Sequence, residues 1–422
     1  PDIVNLAYNA QTITFGPQYI IPKPLDPRLL STIGPAVARA AIESGVAQHP
    51  ITDWDGYVTE LNKRLGLDNQ VMRILGIKAR RDPRRIVFAE ADNIKILKAA
   101  QIVIDEGIGY PILLGDELKI KTIAQANGID LEGLPIFDPR SDAMEAKRNA
   151  YADVYFKKQQ RRGFNYYEAK KVMKDRNYFG CMMVEMGDSD AMISGLTKNY
   201  PDTIRPALRV IGTEDGVDKI AGMYLMLTKR GPIFLADTTV NFNPTAEELA
   251  EITLLVAKEV RNFNIIPRIA MLSYSNFGSS NSPEAKLVAR AREIAKERMP
   301  SLIVDGEMQA STALNNDLMR ENYPFSELVD KEVNTLIFPN LSSGNIAYNI
   351  LKELGAGEAI GPILLGLNKP VHILQLGSSV RNIVNMATIS VVDAQTKNPA
   401  GMEQLGKRSP WWKRLKRKET NI

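Results

Sequence analysis

Cysteine and histidine are nearly absent from this chain. Its 422 residues include one cysteine, Cys181, and two histidines, His49 and His372. A single thiol excludes an internal disulfide and fits a reducing, cytoplasmic setting. Cys181, in GCMMVEMG, has no histidine or other evident base beside it, so it reads as a buried apolar thiol rather than a nucleophile. Two imidazoles leave little material for a histidine-based metal site, and none is expected in this chain. No uninterrupted apolar run is long enough to cross a bilayer, and nothing at Pro1 reads as a secretory signal. A dinucleotide-binding G-x-G-x-x-G between a strand and a helix is also missing; the nearest run, GAGEAIG at Gly355–Gly361, follows a helical pattern. Positive charge is lacking from the body of the chain. Residues 403–422 carry a net charge of +5 and the remaining 402 residues carry −1. The basic pI therefore describes the tail and gives no sign of a nucleic-acid groove.

What is present is ordinary globular composition, with 44% hydrophobic and 24% charged residues. The length suggests two or three domains. The segment FGPQYIIPKPLDPRLL is dense in proline and reads as extended surface chain. Val37, Ala40, Ala41 and Val46 fit a short helix ending at Gly45, and residues 53–75 fit a longer one with Trp54, Tyr57, Val58, Leu61 and Leu65 on one face. The polar cluster KARRDPRR (Lys78–Arg85) is the expected main boundary. Beyond it strands and helices alternate. RIVFAE, YPILLGD, PIFLAD, RIAMLSYS, LIVDGE, TLIFPN and ILLG read as strands, and Ile94–Gly107, Thr245–Phe263 and Ile383–Asp393 as helices. Such alternation predicts a parallel sheet covered on both faces. The Met-rich run Met182–Met192 reads as core.

Three segments could carry chemistry. Ile269–Arg290 runs from a strand through a Ser/Gly loop to a helix with Pro283 at its start. That order offers backbone N–H groups and a helix dipole to an anion, or it is an ordinary helix cap. In Asp188–Thr213, Asp202 or Thr203 is placed to cap a helix with Arg205 in its first turn. A cation there opposes the helix dipole, so either a ligand anion or a nearby carboxylate must balance it. Phe338–Asn349 repeats the strand, Ser/Gly loop and helix order, which a plain βα turn also explains.

Taken together, these segments resemble the phosphate acetyltransferase family. MISGLTKNYPDTIRPAL (192–208) follows that family's M-V-S-G-x-x-x-x-T-x-D-T-x-R-P-A-L, SYSNFGSS (273–280) its S-x-S-x-x-G-S-x, and PNLSSGNIAY (339–348) its P-x-L-x-x-G-N-x-A-Y. The order and number of these motifs carry the resemblance over roughly residues 78–396. It implies an α/β fold of two lobes, each a parallel or mixed sheet flanked by helices, with a cleft between them. The lobes are expected at 78–215 plus 362–397 and at 216–361. The first 65 residues resemble the C-terminal end of a bacterial malic enzyme, so 1–77 is expected to be the end of that domain with a linker helix, and 398–422 a basic tail. Families joined in this order resemble the long bacterial NADP-dependent malic enzymes. The chain then reads as the C-terminal portion of such a protein, with NADP, a divalent metal and the malate chemistry in an upstream half.

The resemblance places Ser194, Thr203, Arg205, Ser273, Ser275, Gly278, Ser279 and Asn345, with Asn276 and Ser280 of the same loop, around a site for acetyl-CoA. It also exposes departures. Leu374–Val384 reads LQLGSSVRNIV where the family has L-S-R-G-C-S-x-x-D-I-V, so Gln375, Leu376 and Asn382 replace the residues that serve the reaction. A second family arginine falls at Gln159, unless Arg161 or Arg162 shifts to fill it. Leucine offers no donor and no charge to a phosphate dianion. A charge-assisted hydrogen bond to that dianion would be worth about 1.5–3 kcal/mol, and each missing arginine forgoes at least one. CoA binding needs less, because pantetheine and adenine supply apolar surface. The expected function is a regulatory acetyl-CoA-binding module with acetyl-CoA as effector, catalytically inactive, attached to a malic enzyme. The alternatives are an active phosphate acetyltransferase and a structural oligomerisation domain. Expected partners are the malic enzyme half and further copies of the chain, with no nucleic acid. The tail, with Trp411 and Trp412 among lysines, either docks on its own protein or touches an anionic surface.

Overall fold

The computed structural model describes residues 28–64 and 70–399. The proline-rich segment before Arg28 and the basic tail from residue 400 lie outside the described residues. The chain divides into two compact units, 1–70 and 71–422.

The first unit holds α1 (Arg28–Glu43) and α2 (Trp54–Arg64). α1 is longer than the sequence spacing suggests and contains Pro35, which is buried. Of the residues that suggested the helix, Val37, Ala40 and Val46 are exposed and Ala41 is half-buried. On α2, Trp54 meets Tyr57 edge-on with centroids 6.2 Å apart, and Leu61 is buried. Of the helix expected over residues 53–75, α2 covers the part to Arg64 and a helix α3 (Gln70–Arg81) the part from Gln70; residues 65–69, with Leu65, lie outside the described residues. The boundaries expected at 77/78 and within KARRDPRR fall inside α3 and β1 (Arg84–Phe88).

Arg84 and Arg85 are buried rather than exposed in a linker. For Arg85, each guanidinium nitrogen finds an acceptor: Nε and Nη2 reach the Asp190 carboxylate at 3.0 and 2.8 Å, and the carbonyls of Gly187 and Asp188 accept at 3.0 Å. Such pairing offsets the cost of burying its charge. Arg84 is held by Asp82, with its Nη1 left unpartnered. The basic run thus serves as the first rung of a strand.

From β1 the chain continues through α4 (Ile94–Asp105), β2 (Gly109–Leu114), α5 (Glu117–Ala126), β3 (Ile136–Phe137), α6 (Glu145–Gln159), α7 (Tyr166–Val172), α8 (Arg176–Glu185), β4 (Ala191–Ser194) and α9 (Tyr200–Val210). Next come β5 (Ala221–Thr228), β6 (Gly231–Ala236), α10 (Ala246–Asn262), β7 (Arg268–Leu272), α11 (Pro283–Arg298), β8 (Ile303–Met308), α12 (Ala310–Ala313), α13 (Asn316–Asn322), β9 (Thr335–Ile337), α14 (Leu341–Glu353), β10 (Gly357–Leu365), β11 (Val371–Ile373) and α15 (Val380–Lys397). The first sheet has the order β11-β4-β1-β2-β3 and is parallel throughout. The second has the order β10-β5-β6-β9-β7-β8; β6, β9, β7 and β8 are parallel, while β5 pairs antiparallel with both β6 and β10.

β5, AGMYLMLT, joins β6 by a tight hairpin, so the second sheet is mixed, one of the two forms the resemblance implies, although strand–helix alternation alone predicts a parallel one. β10 is one strand with an irregularity between Ile360 and Ile363, so the lobe boundary expected at 361/362 cuts through it. Nor are the lobes independent. One apolar cluster runs from Ile86 and Phe88 through Leu97, Ile389 and Ile363 to Met223, Phe234 and Val256. Each such side chain contributes about 1.5–3 kcal/mol on burial, so the two sheets share one apolar core.

Candidate functional site

The parallel strands of each sheet deliver their loops to the carboxyl edge, where open α/β sheets hold ligands. Three of these loops are organised by a buried carboxylate standing just past or at the end of a strand. Glu90, after β1, accepts from the backbone N–H of Gly195 (2.7 Å), Leu196 (2.6 Å) and Thr197 (2.9 Å), and from the Thr197 hydroxyl. Asp237, after β6, accepts from Thr239 N (2.9 Å), Val240 N (3.1 Å) and Asn241 N (2.9 Å). Glu307, on β8, accepts from Ser275 Oγ (2.9 Å) and Gly278 N (2.7 Å). Turn N–H groups bonded to a carboxylate form charge-assisted hydrogen bonds, which fix the loops more firmly than neutral partners would. None of these three was singled out from sequence. The signal was there, since RIVFAE, PIFLAD and LIVDGE all end on an acid.

The Ser/Gly loop between β7 and α11 is the segment most fully satisfied from within. Ser279 Oγ lies 3.0 Å from Ser275 Oγ and accepts from Asn276 N at 3.0 Å, while Ser275 Oγ accepts from Ser280 N at 3.0 Å. Asn276 Oδ1 accepts from Gln309 N at 2.8 Å, and Tyr274 and Ser280 hydroxyls meet at 3.1 Å. Ser273 Oγ accepts from Ser275 N at 3.2 Å. Phe277 and Gly278 adopt φ of 45° and 84°, which turns the chain outward at its tip. Ser282 caps α11 by accepting from Ala285 N at 3.2 Å. The earlier serines are therefore not needed as caps, and Gly278 and Ser279 are exposed.

In the first sheet's segment, α9 starts at Tyr200 with Asn199 as its N-cap, not at Asp202 or Thr203. Arg205 consequently lies in the second turn, 54% exposed and 3.6 Å from Asp202. An exposed pair of this length contributes little, so its guanidinium is free to meet another anion. Ser194 and Thr203 are buried; Ser194 donates to Asn177 Oδ1 at 2.7 Å and Thr203 to Asn199 O at 3.3 Å. These two hydroxyls shape the loop rather than face it. Gly195 has φ of 100°, and a Cβ there would lie 2.6 Å from Ile373 Cγ2, so glycine is required.

Asn345, exposed on α14, donates to Thr238 O at 3.2 Å. One turn on, Tyr348 stacks on Tyr224 with centroids 3.8 Å apart and donates to Gln375 Oε1 at 3.1 Å. This bond joins the second sheet's helix to the first sheet's loop. Lys352 Nζ lies 3.5 Å from the same oxygen, and Lys95 Nζ reaches the carbonyls of Gly377 and Ser378 at 3.3 and 3.2 Å. Leu376 is 64% exposed beside them. Ser379 caps α15 by accepting from Asn382 N at 3.2 Å. Arg381 is occupied by Glu358 at 3.0 Å. Gln159 is buried and donates to Arg209 O at 2.7 Å, while Arg161 and Arg162 stay exposed on the following turn. Neither of those arginines replaces Gln159 inside.

Three further hydroxyls gather at this junction, those of Tyr200, Tyr224 and Thr239, each buried. Tyr200 lies beside Thr239, and Tyr224 beside Tyr348 and Gln375. Burial, with Tyr348 and Tyr200 alongside, holds the Tyr224 hydroxyl well above its ordinary range. Burial raises Tyr200 as well, opposed by the Thr239 hydroxyl and helped by the Asp237 charge. Among the described residues no group of three or more His, Cys, Asp or Glu side chains is arranged for a metal ion, and no helix is long and apolar enough to cross a membrane.

Residues 70–391 match the phosphate acetyl/butaryl transferase family. The chain is 40% identical over 398 residues to the NADP-dependent malic enzyme of Escherichia coli K12, covering 94% of this chain and 52% of that protein. It thus spans about half the length of the malic enzymes it matches. It is 38% identical over 312 residues to the phosphate acetyltransferase of Bacillus subtilis, covering 74% of this chain and 94% of that protein. Among solved structures, a phosphotransacetylase from Streptococcus pyogenes superposes with a TM-score of 0.72 at 36% identity, covering 78% of this chain and 98% of that one. With two α/β sheets, loops gathered at their carboxyl edges and sequence matches of this extent, the chain belongs to the phosphate acetyl/butaryl transferase family.

Proposed function

We propose that this chain is the acyl-CoA-responsive part of a longer, cytoplasmic malic enzyme, and that it holds acetyl-CoA without passing the acetyl group to phosphate. The observation that carries this is position 376. An exposed leucine stands in the loop where the family has arginine, and its neighbour Gln375 is committed to Tyr348. The arginine nearest to it in sequence, Arg381, does not replace it, since it pairs with Glu358. The fit to a thioester is supported by the buried hydroxyls of Tyr200, Tyr224 and Thr239 at this junction, which can donate to a carbonyl or amide oxygen. Gly278, Ser279 and Arg205 are exposed for the more distant polar parts of such a ligand. Binding at the junction of two sheets that share one core gives the ligand a route to an attached domain, with coupling typically of about 1–3 kcal/mol.

Calorimetry with acetyl-CoA and an acetyl phosphate assay test this together. Saturable binding without turnover is the expected result. Steady acetyl phosphate formation would refute inactivity and favour the active-transferase reading, with Lys352 or Lys95 serving the phosphate in place of arginine. No binding at millimolar ligand would leave a structural, oligomer-forming role.

A further inference from the structure

Gln375 makes a bond that the family's serine at its position could not. It stands in the loop between β11 and α15, and its Oε1 accepts from the Tyr348 hydroxyl on α14 at 3.1 Å. β11 belongs to the first sheet, whereas α14 packs on β6 and β10 of the second. A serine hydroxyl sits one bond beyond Cβ and a glutamine carboxamide oxygen three, so serine would stop short of Tyr348. Both ends of the bond are held in place. Tyr348 is buried and stacks on Tyr224 of β5 with planes 14° from parallel, and this stack aims its hydroxyl. Across the junction, Ser378 N and Oγ donate to the Gln375 carbonyl at 3.1 and 2.8 Å, closing the turn. Lys95 of α4 donates to the next two carbonyls, those of Gly377 and Ser378. Lys352, one turn after Tyr348, lies 3.5 Å from the same Oε1. Lysine has only donors to offer, so the oxygen of the carboxamide is the atom turned toward α14. The Gln375 side chain is half-buried, which makes it the end of the bond that can move.

We infer that Gln375 is a clasp over the acyl-CoA site: its carboxamide oxygen takes the Tyr348 hydroxyl that a ligand carbonyl would take, and acetyl-CoA enters as the clasp opens. This rests on the function proposed above and names a residue that sets the affinity of that site. The competing groups are chemically alike. The amides of pantetheine and the thioester carbonyl each present an uncharged oxygen, as the glutamine carboxamide does, so one hydroxyl donor serves any of them. A site that is open for only a fraction of the time binds more weakly by that fraction. A neutral side-chain hydrogen bond of this kind favours the closed state by roughly 2- to 10-fold. Opening also has a mechanical result. The bond ties the β11–α15 turn directly to α14, so its release on binding frees that turn while the common apolar core of the two sheets stays intact.

The test is a calorimetric titration of acetyl-CoA into the full chain and into Gln375→Ser, Gln375→Ala and Gln375→Met, with melting curves to confirm that each variant is folded. Methionine keeps the length of the side chain without its carboxamide, and serine is the family's own residue. All three variants should bind roughly 2- to 10-fold more tightly than the unmodified chain. Tightening by serine alone would mean a hydroxyl contact with the ligand, and tightening by the two short side chains but not by methionine would mean a steric plug; either overturns the clasp. Weaker binding in the variants overturns it too, because Gln375 would then be holding the ligand. Hydrogen exchange without ligand supplies a second readout. The amides of Ser378 and Asn382, corrected for intrinsic rate, should exchange roughly 2- to 10-fold faster in the variants while those of 246–262 stay unchanged. Unchanged exchange at the turn would contradict the tie to α14. Equal acetyl-CoA affinity in all four proteins sinks the clasp and leaves the proposed function standing; no binding by any of them at millimolar ligand sinks both.

Discussion

Removing the Glu90 carboxylate should unfasten the loop that follows β4. It holds three backbone N–H groups at 2.6–2.9 Å and one hydroxyl, and its own side chain is buried. In Glu90→Ala those donors lose a charged acceptor, and water can reach only part of the site. A hydrogen bond to a charged group is worth about 1.5–3 kcal/mol, but a shared acceptor does not add fully, so the loss should be about 3–5 kcal/mol. Glu90→Gln keeps the shape and one oxygen, yet turns an amide donor toward backbone donors; about 2–3 kcal/mol is expected. In a chain of this size the alanine variant should melt roughly 5–10 °C lower. Denaturant unfolding measures the energy, and hydrogen exchange at residues 195–197 localises it. A Glu90→Ala variant within about 1 kcal/mol of the parent, with unchanged exchange there, would refute the claim that this carboxylate organises the loop.

Three further outcomes are expected. Gly344→Ala should cost about 2–4 kcal/mol by chemical denaturation, because its Cβ would lie 2.3 Å from the Asp237 carbonyl oxygen, which is backbone and cannot give way cheaply. The Asp92 carboxyl, which burial acts to raise, is held below its usual value by Arg176 at 2.8 Å and Lys119 at 3.1 Å. Its stabilisation is present above the ordinary aspartate value and lost as pH falls through the folded one, so Arg176→Met should flatten the acid side of the stability curve by about 1 kcal/mol or less. Cys181 is fully buried and burial pushes its thiol up, so a thiol reagent at pH 8 should leave it unlabelled until denaturant is added; labelling at the rate of a free thiol would contradict this.

The fold was legible where a segment's own pattern decided it. RIVFAE, PIFLAD and RIAMLSYS formed strands because continuous β-branched and aliphatic runs have no exposed face to offer. β5 was overlooked, since AGMYLMLT carries methionine and leucine that suit a helix equally; hydrogen bonding to β6 and β10 settled it. The Lys78–Arg85 cluster was misread because charge suggests solvent. Asp190, 105 residues from Arg85, makes burial possible, and nothing local announces it. The Ser273–Ser280 loop and the exposed Leu376 were visible in the motifs, yet the commitment of Ser194, Thr203 and Ser275 to protein partners was not. Nor were Tyr200, Tyr224 and Tyr348, which come from three different elements.

The order of strands and helices and the serine-bearing turns follow from the sequence, since each is set by neighbours a few residues apart. Tertiary structure alone decided which charges are buried. Glu90, Asp237 and Glu307 became loop organisers. Those roles depend on distances between groups far apart in the chain, and a pair of charges has no energy until folding fixes the separation and removes the water.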